Sequence, residues 1–136
     1  MKINHYDIAK SMTEDYLDDY WYESKLFDLG EQIGQLDDHD FKDLIDTLIK
    51  YDSDSRVRLA ETLRICPAER ASSALETLMM SSSDPVFITC ADSLLSFDDM
   101  RLASKEAIIN TAIMIQQRSR EKIDQSIIQR FITRFS

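Results

Sequence analysis

Two histidines, two cysteines and a surplus of carboxylates are the groups in this 136-residue chain that could carry chemistry. His39 stands in the run Asp37-Asp38-His39-Asp40, and carboxylates and imidazole are common metal ligands. Consecutive residues at a helix start point in different directions, however, and no second cluster in the sequence completes the set. Asp37 and Asp38 are therefore read as helix caps, and no metal is expected. Asp52-x-Asp54 opens like a calcium loop, but the positions that an EF-hand fills with Gly and Glu hold Val57 and Leu63. Cys66 and Cys90 are too far apart to form a metal or redox pair by spacing, and both are expected as buried, reduced thiols. Neither His5 nor His39 falls in a nucleophile motif, and the chain has no Gly-rich phosphate loop and no HExxH. The paired carboxylates show no pattern beyond surface acidity. The expectation is no catalytic residue, no cofactor and no enzyme.

Binding is better represented. The segment Glu14-Asp15-Tyr16-Leu17-Asp18-Asp19-Tyr20-Trp21-Tyr22-Glu23 interleaves four aromatic rings with five acids. Tyr and Trp serve as interface anchors, and carboxylates pair with the Arg and Lys of a basic partner. Glu14, Asp15, Tyr16, Asp18, Asp19, Tyr20, Trp21, Tyr22 and Glu23 are thus the candidate partner-binding residues. Four rings cannot share one helix face, so Trp21 and two of the tyrosines are equally expected to pack the first helix onto the rest of the chain.

The charge distribution agrees with a protein partner. Residues 1–50 hold 13 acids against 5 bases and residues 51–100 hold 9 against 4, whereas residues 101–136 hold 3 against 7. An acidic front steers basic proteins and repels phosphate backbones, so nucleic acid is not expected as the main ligand. The N-terminal residues carry Lys2, Asp7 and Lys10 and no apolar core segment, unlike a signal peptide. The charge-free stretch Ala107 to Gln117 is far too short to span a bilayer. A cytoplasmic protein, monomeric or a small dimer, is expected.

Helices must position these groups. Only two glycines and two prolines occur, too few for the turns of a sheet protein. Tyr6, Ile8, Ala9, Met12, Tyr16 and Leu17 suggest a first helix within residues 5–20. Tyr22, Leu26, Leu29, Ile33 and Leu36 recur at four, three, four and three residues, which places them on one helical stripe. Phe41, Leu44, Ile45, Leu48 and Ile49 follow as a core-facing face. Asp52-Ser-Asp-Ser, Pro67 with Glu69, and Ser81-Ser-Ser-Asp-Pro mark later helix starts, and Asp98 and Asp99 are expected to cap the next. Ile123, Ile127, Ile128, Phe131, Ile132 and Phe135 form the inner face of a terminal helix whose outer face carries Arg118, Arg120, Lys122, Arg130 and Arg134. Gly30-x-x-x-Gly34 permits close approach of a neighbouring element.

The pattern restarts near Tyr22, Asp54 and Asp84, a period of about thirty residues that marks a helical repeat array. Asp54-Ser-Arg-Val-Arg-Leu-Ala-Glu-Thr-Leu resembles the first helix of a HEAT-like repeat, which runs Asp, a short gap, Val-Arg, then Ala and Leu at helical intervals. Asp84-Pro-Val-Phe-Ile-Thr-Cys-Ala-Asp-Ser-Leu is similar to a degenerate second copy that keeps the Asp-Pro turn and Ala91 but lacks the Arg. The resemblance covers residues 50–98 and extends to 22–50 by helix pattern alone. It implies an all-α chain in one domain, a short right-handed α-solenoid of about seven or eight helices. The helix hairpins would lie near 22–51, 54–81 and 84–117, with a terminal helix near 120–135. In size, charge and architecture the chain also resembles immunity proteins of contact-dependent and polymorphic toxin systems. That resemblance implies an inhibitor that neutralises a basic toxin domain, such as a nuclease, by direct binding. The competing expectation is a structural or adaptor subunit of a larger assembly.

Overall fold

Short polar side chains set where the helices begin. The computed structural model describes residues 4–14, 16–80 and 83–136 and is all-α. Asn4 caps α1 (His5–Thr13) by accepting the Tyr6 N–H at 2.8 Å. Asp37 caps α4 (Asp38–Leu48) by accepting the Asp40 N–H at 2.7 Å, and Asp52 caps α5 (Ser53–Thr62) from the Ser55 N–H at 2.9 Å. Those bonds hold the Asp52 carboxyl below its usual range. Pro67 directly precedes α6 (Ala68–Met80), and Pro85 lies in the first turn of α7 (Asp84–Leu95), where a missing N–H costs nothing. Ser81 and Ser82, expected in the same turn, lie outside the described residues. α8 (Lys105–Arg118) and α9 (Lys122–Phe135) complete the chain. No strand occurs among the described residues, and no helix there is long and apolar enough to cross a membrane.

Three expectations fail for identifiable reasons. Residues 5–20 are not one helix: α1 ends at Thr13, and a new run starts with the single turn α2 (Asp18–Tyr20). That run continues through a π-helical turn, Trp21–Lys25, into α3 (Leu26–Gln35). Asp98 and Asp99 cap nothing, because α8 starts only at Lys105. Its approach is fixed from a distance instead. The buried Glu76 carboxylate on α6 accepts the N–H groups of Ala103 and Ser104 at 3.2 and 2.8 Å. Ile123, expected inside α9, is exposed, while Ile128, Phe131 and Phe135 face inward.

The core runs the length of the chain. α3, α5, α7 and α9 form a row in which each packs on the next, with α6 against α7 and α8 against α9. α1 lies across α4 and α5. Phe87 and Phe131 meet edge-on at 6.3 Å between the third and fourth members of the row. Between the second and third, buried Ser93 donates to the Ala60 carbonyl at 2.8 Å and accepts Arg64 Nε at 2.9 Å. Cys66 and Cys90 are free and buried, and burial pushes the Cys66 thiol up to about 11 and the Cys90 thiol higher still.

Helix C-termini leave carbonyls without partners, and a left-handed glycine usually closes them. No described residue has positive φ, so this chain needs another device. Arginines from elsewhere supply it. Arg70 donates to the carbonyls of Ile33 and Leu36 after α3, at 3.3 and 2.7 Å. Arg134 donates to those of Leu95, Phe97 and Asp98 after α7. Arg58 does the same after α1.

The two glycines have opposite roles. A Cβ on Gly30 would lie 2.7 Å from Ile65 Cδ1 and 3.0 Å from Ile65 Cβ, so the 3-10 turn Leu63–Ile65 would have to move. A Cβ on Gly34 would meet nothing. Gly30→Ala is therefore expected to destabilise by about 1–3 kcal/mol. Gly34→Ala should stabilise by about 0.4–1 kcal/mol, by restricting the unfolded chain. Paired denaturation curves give both signs at once.

Candidate functional site

The acidic aromatic segment is split by the π turn. The Leu26 N–H reaches back five residues to the Trp21 carbonyl, which inserts one extra residue into the helix. The stripe of Leu29, Ile33 and Leu36 then continues to Trp21 rather than to Tyr22. Trp21 is 3% exposed, whereas Tyr22 is 55% exposed. The sequence spacing of four between Tyr22 and Leu26 assumes an unbroken α-helix, and the π turn removes that premise.

Two side chains of α5 hold the segment in place. Arg58 donates to the carbonyls of Met12, at 3.0 Å, and Glu14, which closes the C-terminus of α1. Its guanidinium also lies over the rings of Tyr16 and Trp21, 5.2 and 5.1 Å from their centroids. Those two rings stack at 6.2 Å, and Tyr20 meets Tyr16 at 5.6 Å. One turn further along α5, Glu61 accepts Trp21 Nε1–H at 3.4 Å, and its carboxyl lies beside the Tyr22 hydroxyl. Tyr16, Asp18, Trp21, Tyr22, Asp54, Val57, Arg58 and Glu61 line a shallow cleft of about 280 Å³.

Burial dominates the electrostatics of this cleft. It raises the Glu61 carboxyl above its ordinary value, an effect that the Tyr22 and Trp21 donors and the charges of Arg64 and Arg58 only partly offset. Burial, then the bond and charge of Glu61, push the Tyr22 hydroxyl up to about 12. Tyr16 is raised by burial and by its 3.1 Å bond to Glu14. A carboxyl whose folded value exceeds its unfolded one binds more protons in the folded state, so its contribution to stability declines as pH rises. The native chain should therefore lose stability relative to Glu61→Gln as pH climbs through and above about 4.5, the ordinary glutamate value. Denaturation of both proteins across that window checks the sign, and parallel curves would contradict it.

The candidate residues thus divide. Trp21 is a correction: it is buried against Arg58 and Glu61 and offers a partner no surface. Tyr16 is half-buried beside it. Tyr20, at 49% exposure, and Tyr22 remain outward, together with the exposed carboxylates of Glu14, Asp18, Asp19 and Glu23. Asp15 lies outside the described residues. Sequence reasoning missed Leu17, 83% exposed within the same segment, and Phe27, 65% exposed just beyond it. It also missed Arg58 and Glu61. The HEAT-like motif contains both as Val-Arg and Ala-Glu neighbours, and their spacing of three on one side of α5 was the available signal. The described residues that line the cleft include no cysteine, serine or histidine.

Comparison with protein-family models, with curated proteins and with solved structures finds no match.

Proposed function

We propose that the chain is a protein-binding module whose contact surface is the outward half of the acidic aromatic segment. The observation that carries this reading is the sorting of that segment. Leu17, Tyr20 and Tyr22 are exposed beside Asp18, Asp19 and Glu23, on a backbone anchored from below by buried Trp21. An apolar and aromatic centre supplies residence time, and surrounding charge supplies steering. Anchoring the backbone reduces the ordering entropy that binding must overcome.

The partner is a basic protein, and the sharper form of the proposal is an immunity-type inhibitor that covers a basic toxin domain. Acids outnumber bases by 8 in residues 1–50 and by 5 in residues 51–100, which supports such complementarity. The row α3, α5, α7 and α9 is compatible with a short HEAT-like array that displays one long face. A second reading, an adaptor subunit, is favoured by Ile113 and Met114 on α8 and Ile123 on α9, which are exposed far along the sequence from the acids. Capture from host lysate at low and high salt, with the bound chains identified, separates the two. One basic partner released by salt supports the inhibitor. Several chains of one complex, retained at high salt, support the adaptor. Capture of neither kind contradicts both.

A further inference from the structure

The cleft beside Trp21 draws its carboxylates from two helices. Asp18 comes from α2, and Asp54 and Glu61 come from the start and the end of α5. The aromatic part of its wall is Tyr16, Trp21 and Tyr22. On the protein-binding reading given above, we propose that this cleft seats one arginine side chain of the basic partner, stacked on Tyr22 and paired with the carboxylates of Asp18 and Asp54.

Size and charge select that occupant. At about 280 Å³ the cleft falls short of small-molecule sites, which run about 300–1,000 Å³, and suits a single side chain. Three carboxylates stand against one guanidinium in its lining, that of Arg58. Arg58 is committed to the carbonyls of Met12 and Glu14. Arg64, Arg70 and Arg118 make their ion pairs with Asp92, Asp38 and Asp84, outside the cleft. Among the described residues, the groups close enough together to share one metal ion all contain Asp40 and none of these three acids. A guanidinium is broad and planar with five donors, so it bridges carboxylates that no single ion could reach. Arg58 also shows that rings of this segment accept a guanidinium, at 5.2 and 5.1 Å from the centroids of Tyr16 and Trp21. The Tyr22 ring, 55% exposed, offers an incoming arginine the same kind of surface. Lysine, a compact and strongly hydrated charge, gains less from such a wall.

The seat is formed before the partner arrives. Buried Trp21 anchors the backbone that carries Asp18 and Tyr22, and α5 carries Asp54 and Glu61. The indole N–H fixes Glu61 at 3.4 Å, so little ordering remains to oppose binding.

The chain has a single tryptophan, so one indole N–H resonance reports on the cleft. Titration of the whole chain with N-acetyl-arginine amide should shift that resonance saturably, with millimolar affinity. The neutral isostere N-acetyl-citrulline amide should not shift it, and N-acetyl-lysine amide should bind several-fold more weakly. Asp54 is exposed, so its variants should fold. Asp54→Asn should weaken the arginine probe by about threefold, Asp54→Lys by about tenfold or more, and Asp54→Glu by less than either. A shift that fails to saturate, or one that citrulline or Asp54→Lys leaves unchanged, overturns the seat. If a captured basic partner also binds Asp54→Lys with undiminished affinity, the seat fails and the protein-binding reading stands. A saturable, Asp54-dependent arginine shift with no partner captured upholds the seat and counts against that reading.

Discussion

Replacing Trp21 with alanine is expected to lower the unfolding free energy by about 3–5 kcal/mol, the range for deleting a buried aromatic side chain. The loss has three sources. The indole fills the N-terminal end of the core stripe that runs on to Leu29 and Ile33. Its face receives the Arg58 guanidinium at 5.1 Å and the Tyr16 ring at 6.2 Å. Its N–H is one of the donors to half-buried Glu61, whose carboxyl is already raised by burial. Trp21→Phe separates these terms. It keeps a ring under Arg58 and removes the 3.4 Å bond, so it should cost about 1 kcal/mol for the hydrogen bond plus a modest packing loss. Urea denaturation followed by circular dichroism measures both. A loss below about 1 kcal/mol for Trp21→Ala would mean that the indole is not held in the core, and the sorting of the segment would fail with it.

How far the sequence exposes this arrangement depends on range. Helix faces and caps are local, and Asp37, Asp52 and Pro67 act where their types and neighbours indicate. The features that shape the site are not local. Arg58 closes a helix 44 and 46 residues earlier, and Glu61 takes the indole N–H from 40 residues away. Nothing in the pattern of α5 specifies those partners, since an arginine on a helix face is equally consistent with solvent. Glu76 acts similarly on the approach to α8 from 27 and 28 residues away, which is why Asp98 and Asp99 looked like the better caps. The π turn is a subtler case. A stripe at four, three, four and three residues fits an ideal α-helix, yet one inserted residue exchanges Tyr22 for Trp21 on the buried side. Local spacing cannot register that exchange, because its driving force is the seat made by Arg58 and Glu61. The contact of His5 Nδ1 with Asp40 Oδ1, at 3.4 Å, is hidden for the same reason, as it exists only once α1 packs on α4.

Joint neutralisation of the exposed acids, as Asp18→Asn, Asp19→Asn and Glu23→Gln, is expected to slow association with a basic partner by roughly tenfold to a hundredfold at low salt, and by much less at high salt. All three residues are exposed, so unfolding free energy should change by no more than about 0.5 kcal/mol in each case. Dissociation should hardly change, since rim charges act mainly on encounter. Tyr20→Ala with Leu17→Ala should do the reverse, speeding dissociation while leaving association within a few-fold, because those side chains make contact only after docking. Tyr22 is a poor choice for that pair: its ring is largely exposed, but its hydroxyl interacts with the Glu61 carboxyl, so its removal would disturb the frame as well as the surface. Stopped-flow association at several salt concentrations with the captured partner gives both rate constants. An association rate independent of salt and of the three acids would assign their charge to solubility alone. The contact would then move to the apolar side chains of α8 and α9, where Ile113, Met114 and Ile123 are exposed.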